Sequence, residues 1–152
     1  MKPCPDLLLV TRNTDNHPQR KTGWDCARQE YHGSPLLVLG IAFIKRENWI
    51  LTGFQSRDEE EQQRLQFERQ RRGYDPSLHP HHANSHESRS KHCPKQVLEN
   101  LVGKAEVDRE IECLRDTSLM EFHSRGEKVG LAEFLKEIET TFCPLLRTTQ
   151  QP

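Results

Sequence analysis

The sequence predicts an α/β fold: a small, mainly parallel sheet begun by a βαβ unit at about residues 6–43, with carboxyl-terminal helices packed on it. Three observations predict it. Two unbroken apolar runs, Leu7 to Val10 and Leu36 to Phe43, read as strands covered on both faces, as in a parallel sheet. Between them Trp24, Ala27 and Tyr31 recur at helical spacing, over about Thr22 to His32, and a strand–helix–strand unit takes a right-handed crossover. Beyond residue 94 the apolar residues recur with a helical period.

The elements follow in order. Pro3 and Pro5 precede the first strand, and Gly33-Ser34-Pro35 introduces the second. In residues 47–54, Trp49, Ile50 and Leu51 suit either a strand or a short buried helix, and Gly53 ends the element in both cases. Ser56 with Glu59 makes a capping box. Asp58 to Glu61 load the first turn with acid, and Arg69, Arg71 and Arg72 load the last with base. Only Leu65 and Phe67 are apolar there, which predicts a surface helix ending at Gly73. Residues 74–92 form a polar, His-rich loop containing Pro76 and Pro80. Pro94 suits a first helical position, and Val97, Leu98, Leu101 and Val102 make one face before Gly103. Val107, Ile111 and Leu114 define a second amphipathic helix. His123 to Gly126, with Gly130, reads as a turn. Leu131, Phe134, Leu135, Ile138 and Phe142 define a last helix that stops before Pro144.

A chain of 152 residues forms one domain, residues 1–152, and can enclose one core. With 33% apolar and 30% charged residues, that core is modest, and residues 55–95 are a polar excursion from it. The net charge of −1 gives no overall basic signature for nucleic acid or an anionic membrane. No run approaches the roughly 20 apolar residues of a membrane span. The amino terminus lacks the apolar region of a signal peptide, so a cytoplasmic protein is expected. Five cysteines, widely spaced and without a Cys-x-x-Cys pair, read as reduced structural thiols, with Cys26 and Cys113 in core packing.

The leading candidate site is Arg12-Asn13-Thr14-Asp15-Asn16-His17, at the carboxyl end of the first strand. Ligands bind at such strand ends in open α/β sheets, and acid or amide oxygens there suit Mg²⁺. Asp15 and Asn16 also suit a turn that caps the following helix, which on pattern alone is the stronger reading. A second candidate is His79, His81, His82, His86, His92 and Cys93. Their spacing matches no zinc-finger frame, and a mobile polar loop describes them better than a metal site. There is no Gly-x-Ser-x-Gly elbow and no phosphate-binding Gly-rich loop. Arg69, Arg71 and Arg72 could meet phosphates, but the cationic end of a solvated helix accounts for them better.

Taken in order, Leu7 to Asp15, Leu36 to Phe43 and Glu47-x-Trp49-x-Leu51 resemble bacterial TOPRIM-like proteins near the overcoming-lysogenization-defect nucleases. Pro94-Lys95-x-Val97-Leu98, Arg109-Glu110 through Cys113, Gly130-Leu131-Ala132-x-Phe134-Leu135 and Cys143-Pro144-Leu145 continue the likeness over about two thirds of the chain. The resemblance implies Mg²⁺ at the strand end and phosphodiester chemistry on nucleic acid. The family's Asp-x-Asp pair falls on Asn13-x-Asp15, which makes Asn13 and Asp15 the expected metal ligands. Asp15 and Glu47 are then the expected catalytic acids, and Arg12 the expected contact to nucleic acid. The family's earlier glutamate has no counterpart, because only six residues precede Leu7. The alternative is therefore a catalytically degenerate or truncated relative that binds a protein partner as an accessory.

Overall fold

The computed structural model describes residues 7–33, 35–104 and 106–144. Strand β1 (Leu7–Asn13) lies parallel to β2 (Leu36–Ala42), in a register running from Leu7 opposite Leu36 to Asn13 opposite Ala42. Helix α1 (Pro18–Glu30) connects them, which makes the predicted βαβ unit. Among the described residues the sheet has these two strands.

The two strands differ in environment. From Val38 onward β2 is buried throughout. On β1, by contrast, Leu8 and Leu9 stay 45% and 46% exposed. The expectation of cover on both faces therefore holds for β2 and fails for β1. An apolar run reports what a strand could bury, and here α1 and the helices Arg46–Thr52 and Leu131–Glu137 pack on β2, while β1 packs chiefly against β2 itself.

Helix α1 begins where Pro18 supplies a preset φ, and it buries no residue fully. Trp24 is half-buried, while Ala27 and Tyr31 are exposed, so their helical spacing does not mark a core face. Cys26 is exposed as well, contrary to the expected core role. A salt bridge of 3.1 Å from Arg28 to the buried Glu137 ties this helix to the body.

The ambiguous segment around Trp49 is helix α2 (Arg46–Thr52). The fully buried Asn48 settles its start, since its Oδ1 accepts the Lys45 N–H at 3.1 Å. Helix α3 (Glu59–Arg72) is capped by Asp58, whose carboxylate accepts the Glu61 N–H at 2.8 Å, so the cap lies two residues beyond Ser56. It ends at Gly73, which takes the left-handed conformation at φ 81°. This helix is not confined to the surface, because Glu61, Leu65, Glu68 and Arg72 are all buried.

The remaining helices are α4 (Pro94–Val102), α5 (Val107–Arg115), α6 (Leu119–Gly126) and α7 (Leu131–Glu137), the last extended by a wide π turn over Ile138–Phe142. Helix α6 includes the His123–Gly126 segment predicted as a turn. A reciprocal Ser118–Glu121 capping box starts that helix, and the turn falls instead at Glu127–Val129. Helix α7 packs on β2, with the Phe134 ring where a Cβ on Gly40 would stand 2.8 Å away.

Two apolar clusters meet at α2. Ile50 and Leu51 join Phe54, Leu65, Val97, Leu98 and Leu101. Trp49 joins Ala42, Phe122, Val129 and Leu131 on the other side. Its indole donates to the Val129 carbonyl at 2.8 Å and stacks on Phe134 at 5.2 Å, so its polar edge is satisfied. The His-rich segment is anchored where the sequence suggested a mobile loop. Pro76 and Pro80 are fully buried, and Ala83 lies in the core. The Asn48 amide donates to the Pro80 and Ala83 carbonyls at 2.7 and 2.9 Å.

Candidate functional site

At the carboxyl end of β1, residues 14–17 form a turn sewn to the end of β2. Thr14 N–H donates to Ala42 at 2.9 Å, Asp15 N–H to Ile44 at 3.0 Å and Asn16 N–H to Phe43 at 3.2 Å. Asp15 and Asn16 both take positive φ, 50° and 60°, a region that Asp and Asn tolerate better than other side-chain-bearing residues. The turn reading of the sequence is the one observed. The capping part of that reading is not, since His17 is the residue before the helix and makes no side-chain cap bond.

The four predicted site residues divide. Asp15 forms a salt bridge with Arg20 on the first turns of α1. Asn13 Oδ1 accepts the backbone N–H of Arg46 at 3.1 Å and so serves an otherwise unpaired donor at the start of α2. Glu47 is half-buried and has no ion-pair partner among the described residues. The Arg12 guanidinium lies 5.8 Å from the Trp24 ring centre, on the α1 side of the sheet, and has no carboxylate partner among the described residues.

Arg12, Asn13 and Glu47 line one cleft of about 640 Å³, a size suited to a ligand or a few side chains of a partner. Asp15 is not among its lining residues. Asn13 thus bonds the start of α2, while Asp15 is paired with Arg20 outside the cleft lining. Among the described residues, no group of three or more His, Cys, Asp or Glu side chains is set to hold a metal ion.

The histidines divide too. His79, His81 and His82 gather with ring centres 4.3 to 6.0 Å apart. His92 stacks on Tyr74, His86 stacks on His17, and Cys93 is buried. Burial lowers the His81 pKa, with the neighbouring His82, Lys128 and His79 adding to the effect.

The opposite wall of the cleft is the part that the sequence reading missed. It is built from Val107, Ile111 and Leu114 of α5, which are 61%, 52% and 45% exposed. Their spacing made them a predicted amphipathic stripe, and such a stripe ordinarily faces the core. Here the buried side of α5 carries Arg109 and Cys113. Arg109 donates from Nε and Nη2 to the fully buried Glu61 at 2.8 and 2.9 Å, and also to the Gln55 carbonyl at 2.6 Å.

Burial alone would raise the Glu61 pKa, but hydrogen bonds from Arg109 and the Arg57 backbone, with both guanidinium charges, hold it below the usual carboxylate value. Burial pushes the Cys113 thiol up to about 11, so it stays protonated and is no nucleophile at neutral pH. The remaining polar features of the cleft are Arg46 and Glu110, 3.8 Å apart at the rim.

No family model, curated protein or solved structure matches this chain. The fold and the cleft therefore define only a class: an α/β domain with a half-apolar cleft at the carboxyl end of its parallel strands. No helix among the described residues is long and apolar enough to cross a membrane.

Proposed function

We propose that this chain acts by binding a partner protein, as an accessory, rather than by cutting nucleic acid with Mg²⁺. One observation carries the reading: α5 turns its apolar stripe outward into the cleft while its arginine is buried. An apolar wall opposite the end of a parallel strand is suited to receiving apolar side chains. Glu47 adds selectivity. Its half-buried carboxylate forms no ion pair among the described residues, although Arg12 and Arg46 line the same cleft, and it is free to accept a hydrogen bond from a cation on the occupant. The partner is thus an amphipathic segment with apolar residues beside a lysine or arginine. By its sequence likeness the chain would then be a degenerate relative of the TOPRIM-like enzymes.

The test is titration of the protein with a short dansylated amphipathic peptide of leucine and lysine. Binding in the range of about 10 µM is expected. Glu47→Gln should weaken it about fivefold, and Ile111→Glu about tenfold or more. Equal affinity in both variants removes the reading. So does Mg²⁺- or Mn²⁺-dependent cleavage of DNA or RNA that disappears in Glu47→Gln, since that result favours the enzyme.

A further inference from the structure

We propose that the turn carrying His79, His81 and His82 is a surface site for a divalent transition ion of the Zn²⁺ or Ni²⁺ kind, held by imidazoles and completed by water. None of the three residues lines the cleft, so the proposal stands apart from the partner-binding reading.

Donor side chains make a site when the backbone beneath them is fixed. Here Asp75 folds that backbone. Its Oδ1 accepts the Ser77 N–H at 2.8 Å and the Ser77 hydroxyl at 2.7 Å, and its carbonyl accepts the His79 N–H at 2.9 Å. The N–H groups of His82 and Ala83 then close a 3-10 turn, Pro80–His82, onto the His79 and Pro80 carbonyls, both at 3.0 Å. The fully buried Pro80 and the Asn48 amide tie this turn to the core. Mobility was what counted against a metal site in the sequence, and these bonds replace it with a fixed presentation of three imidazoles.

The rings stand at the spacing an ion requires. Their centres are 4.3 Å apart for His81 and His82, 5.6 Å for His79 and His82, and 6.0 Å for His79 and His81. An ion about 2.1 Å from each ring nitrogen sets tetrahedrally disposed imidazole centres about 5 Å apart, within that range. None of these ring nitrogens has a hydrogen-bond or ion-pair partner among the described residues. As placed, three donors do not converge, so binding turns the rings about χ2, a broad torsion, and His79 and His82 are exposed. His81 with His82, the closest pair, supplies the first two ligands, and His79 the third.

The chemistry selects the ion. Imidazole binds metal as the neutral ring, which its ordinary pKa of about 6.5 allows above neutrality. Nitrogen donors favour Zn²⁺, Ni²⁺ or Cu²⁺ over Mg²⁺, which takes oxygen. The Lys128 charge acts on His81 and opposes a dication, and water fills the open positions. Affinity is therefore set well below that of a closed four-ligand zinc site.

Isothermal titration of the full chain with zinc chloride and with nickel chloride at pH 7.5 should give a dissociation constant of about 10 µM. Magnesium chloride should give no binding. His81→Gln and His82→Gln should each weaken zinc binding tenfold or more with an unchanged far-ultraviolet spectrum, and His82 is exposed, so its variant tests the site without disturbing the core. His17→Gln, whose ring stacks on His86 instead, should leave binding unchanged. Zinc at about 100 µM should raise the melting temperature by about 3–5 °C in the wild type and leave His81→Gln/His82→Gln unshifted. Binding weaker than about 1 mM, or of equal strength in wild type and both single variants, overturns the proposal. So does magnesium binding as tightly as zinc, which would point to oxygen ligands elsewhere.

Discussion

Replacing Arg109 with methionine tests what holds α5 against α3. Glu61 is completely buried and is served by five interactions. Two are the hydrogen bonds from Arg109, and the third is the Arg57 backbone N–H at 3.1 Å. The fourth is the Arg57 side chain, whose Nε stands 3.2 Å away but is half exposed, and the fifth is the partly exposed Arg64, with Nη2 4.0 Å away. Arg109→Met removes the dry cation and leaves the two wetter ones, Arg57 and Arg64. Breaking a buried pair costs about 3–5 kcal/mol, and Arg57 places this case near the lower end. The bond from Arg109 to the Gln55 carbonyl adds about 1 kcal/mol.

A total of about 4 kcal/mol is a large part of the 5–15 kcal/mol typical of a domain, and corresponds to a fall in melting temperature of roughly 8–16 °C. Urea unfolding followed by tryptophan fluorescence measures it. The double variant Glu61→Leu/Arg109→Met removes both charges and should recover most of the loss. The pH dependence fixes the sign. In Arg109→Met the hydrogen bonds and charge of Arg109 no longer oppose burial, so the Glu61 pKa rises relative to wild type and the variant loses less stability on acidification. The deficit against wild type should therefore shrink as pH falls from 7 to about 4. A single variant costing under about 1 kcal/mol, or a deficit that grows on acidification, would refute the reasoning.

Gly130→Ala should be strongly destabilising, by more than about 2 kcal/mol, because the residue sits at φ 83° and an added Cβ would lie 2.1 Å from the Ile41 carbonyl oxygen. Thermal unfolding of a soluble Gly130→Ala variant within a degree or two of wild type would contradict that contact. His81 has a folded pKa below its ordinary value of 6.5, so it contributes no penalty above that value and a growing one as pH falls through the folded pKa. Melting temperature should accordingly drop more steeply below pH 6.5 in wild type than in His81→Gln, and equal slopes would rule His81 out as the cause.

The βαβ unit was legible because its signals are local: two apolar runs, a helical repeat between them, and prolines and glycines at the boundaries. Gly73 and Pro94 marked helix ends for the same reason. What was not legible depended on partners distant in sequence. Whether Trp49 lay in a strand or a helix was undecided by pattern, and Asn48 decides it by bonding a turn more than thirty residues away. Nothing in the local pattern around Asp15 shows that Arg20, one turn into α1, pairs with its carboxylate. In the His-rich segment, composition suggested mobility, whereas the buried Pro80 and Ala83 fix its path.

The roll of α5 shows why the site itself was hidden. Turned the other way, the helix would bury Val107, Ile111 and Leu114, at about 1.5–3 kcal/mol for each side chain fully covered. That gain is opposed by leaving Glu61 buried without Arg109, at several kcal/mol. Since the opposing contributions are of similar size, the ion pair selects which face of the helix meets the core. The pair then matters less as net stability than as orientation, since an apolar replacement could match its energy without fixing the roll. The double variant separates these roles. If it regains wild-type stability but loses affinity for the leucine–lysine peptide, the Glu61–Arg109 pair is what holds the apolar wall open to a partner. If it keeps both, the roll of α5 is set by its other contacts and the ion pair is dispensable for the cleft.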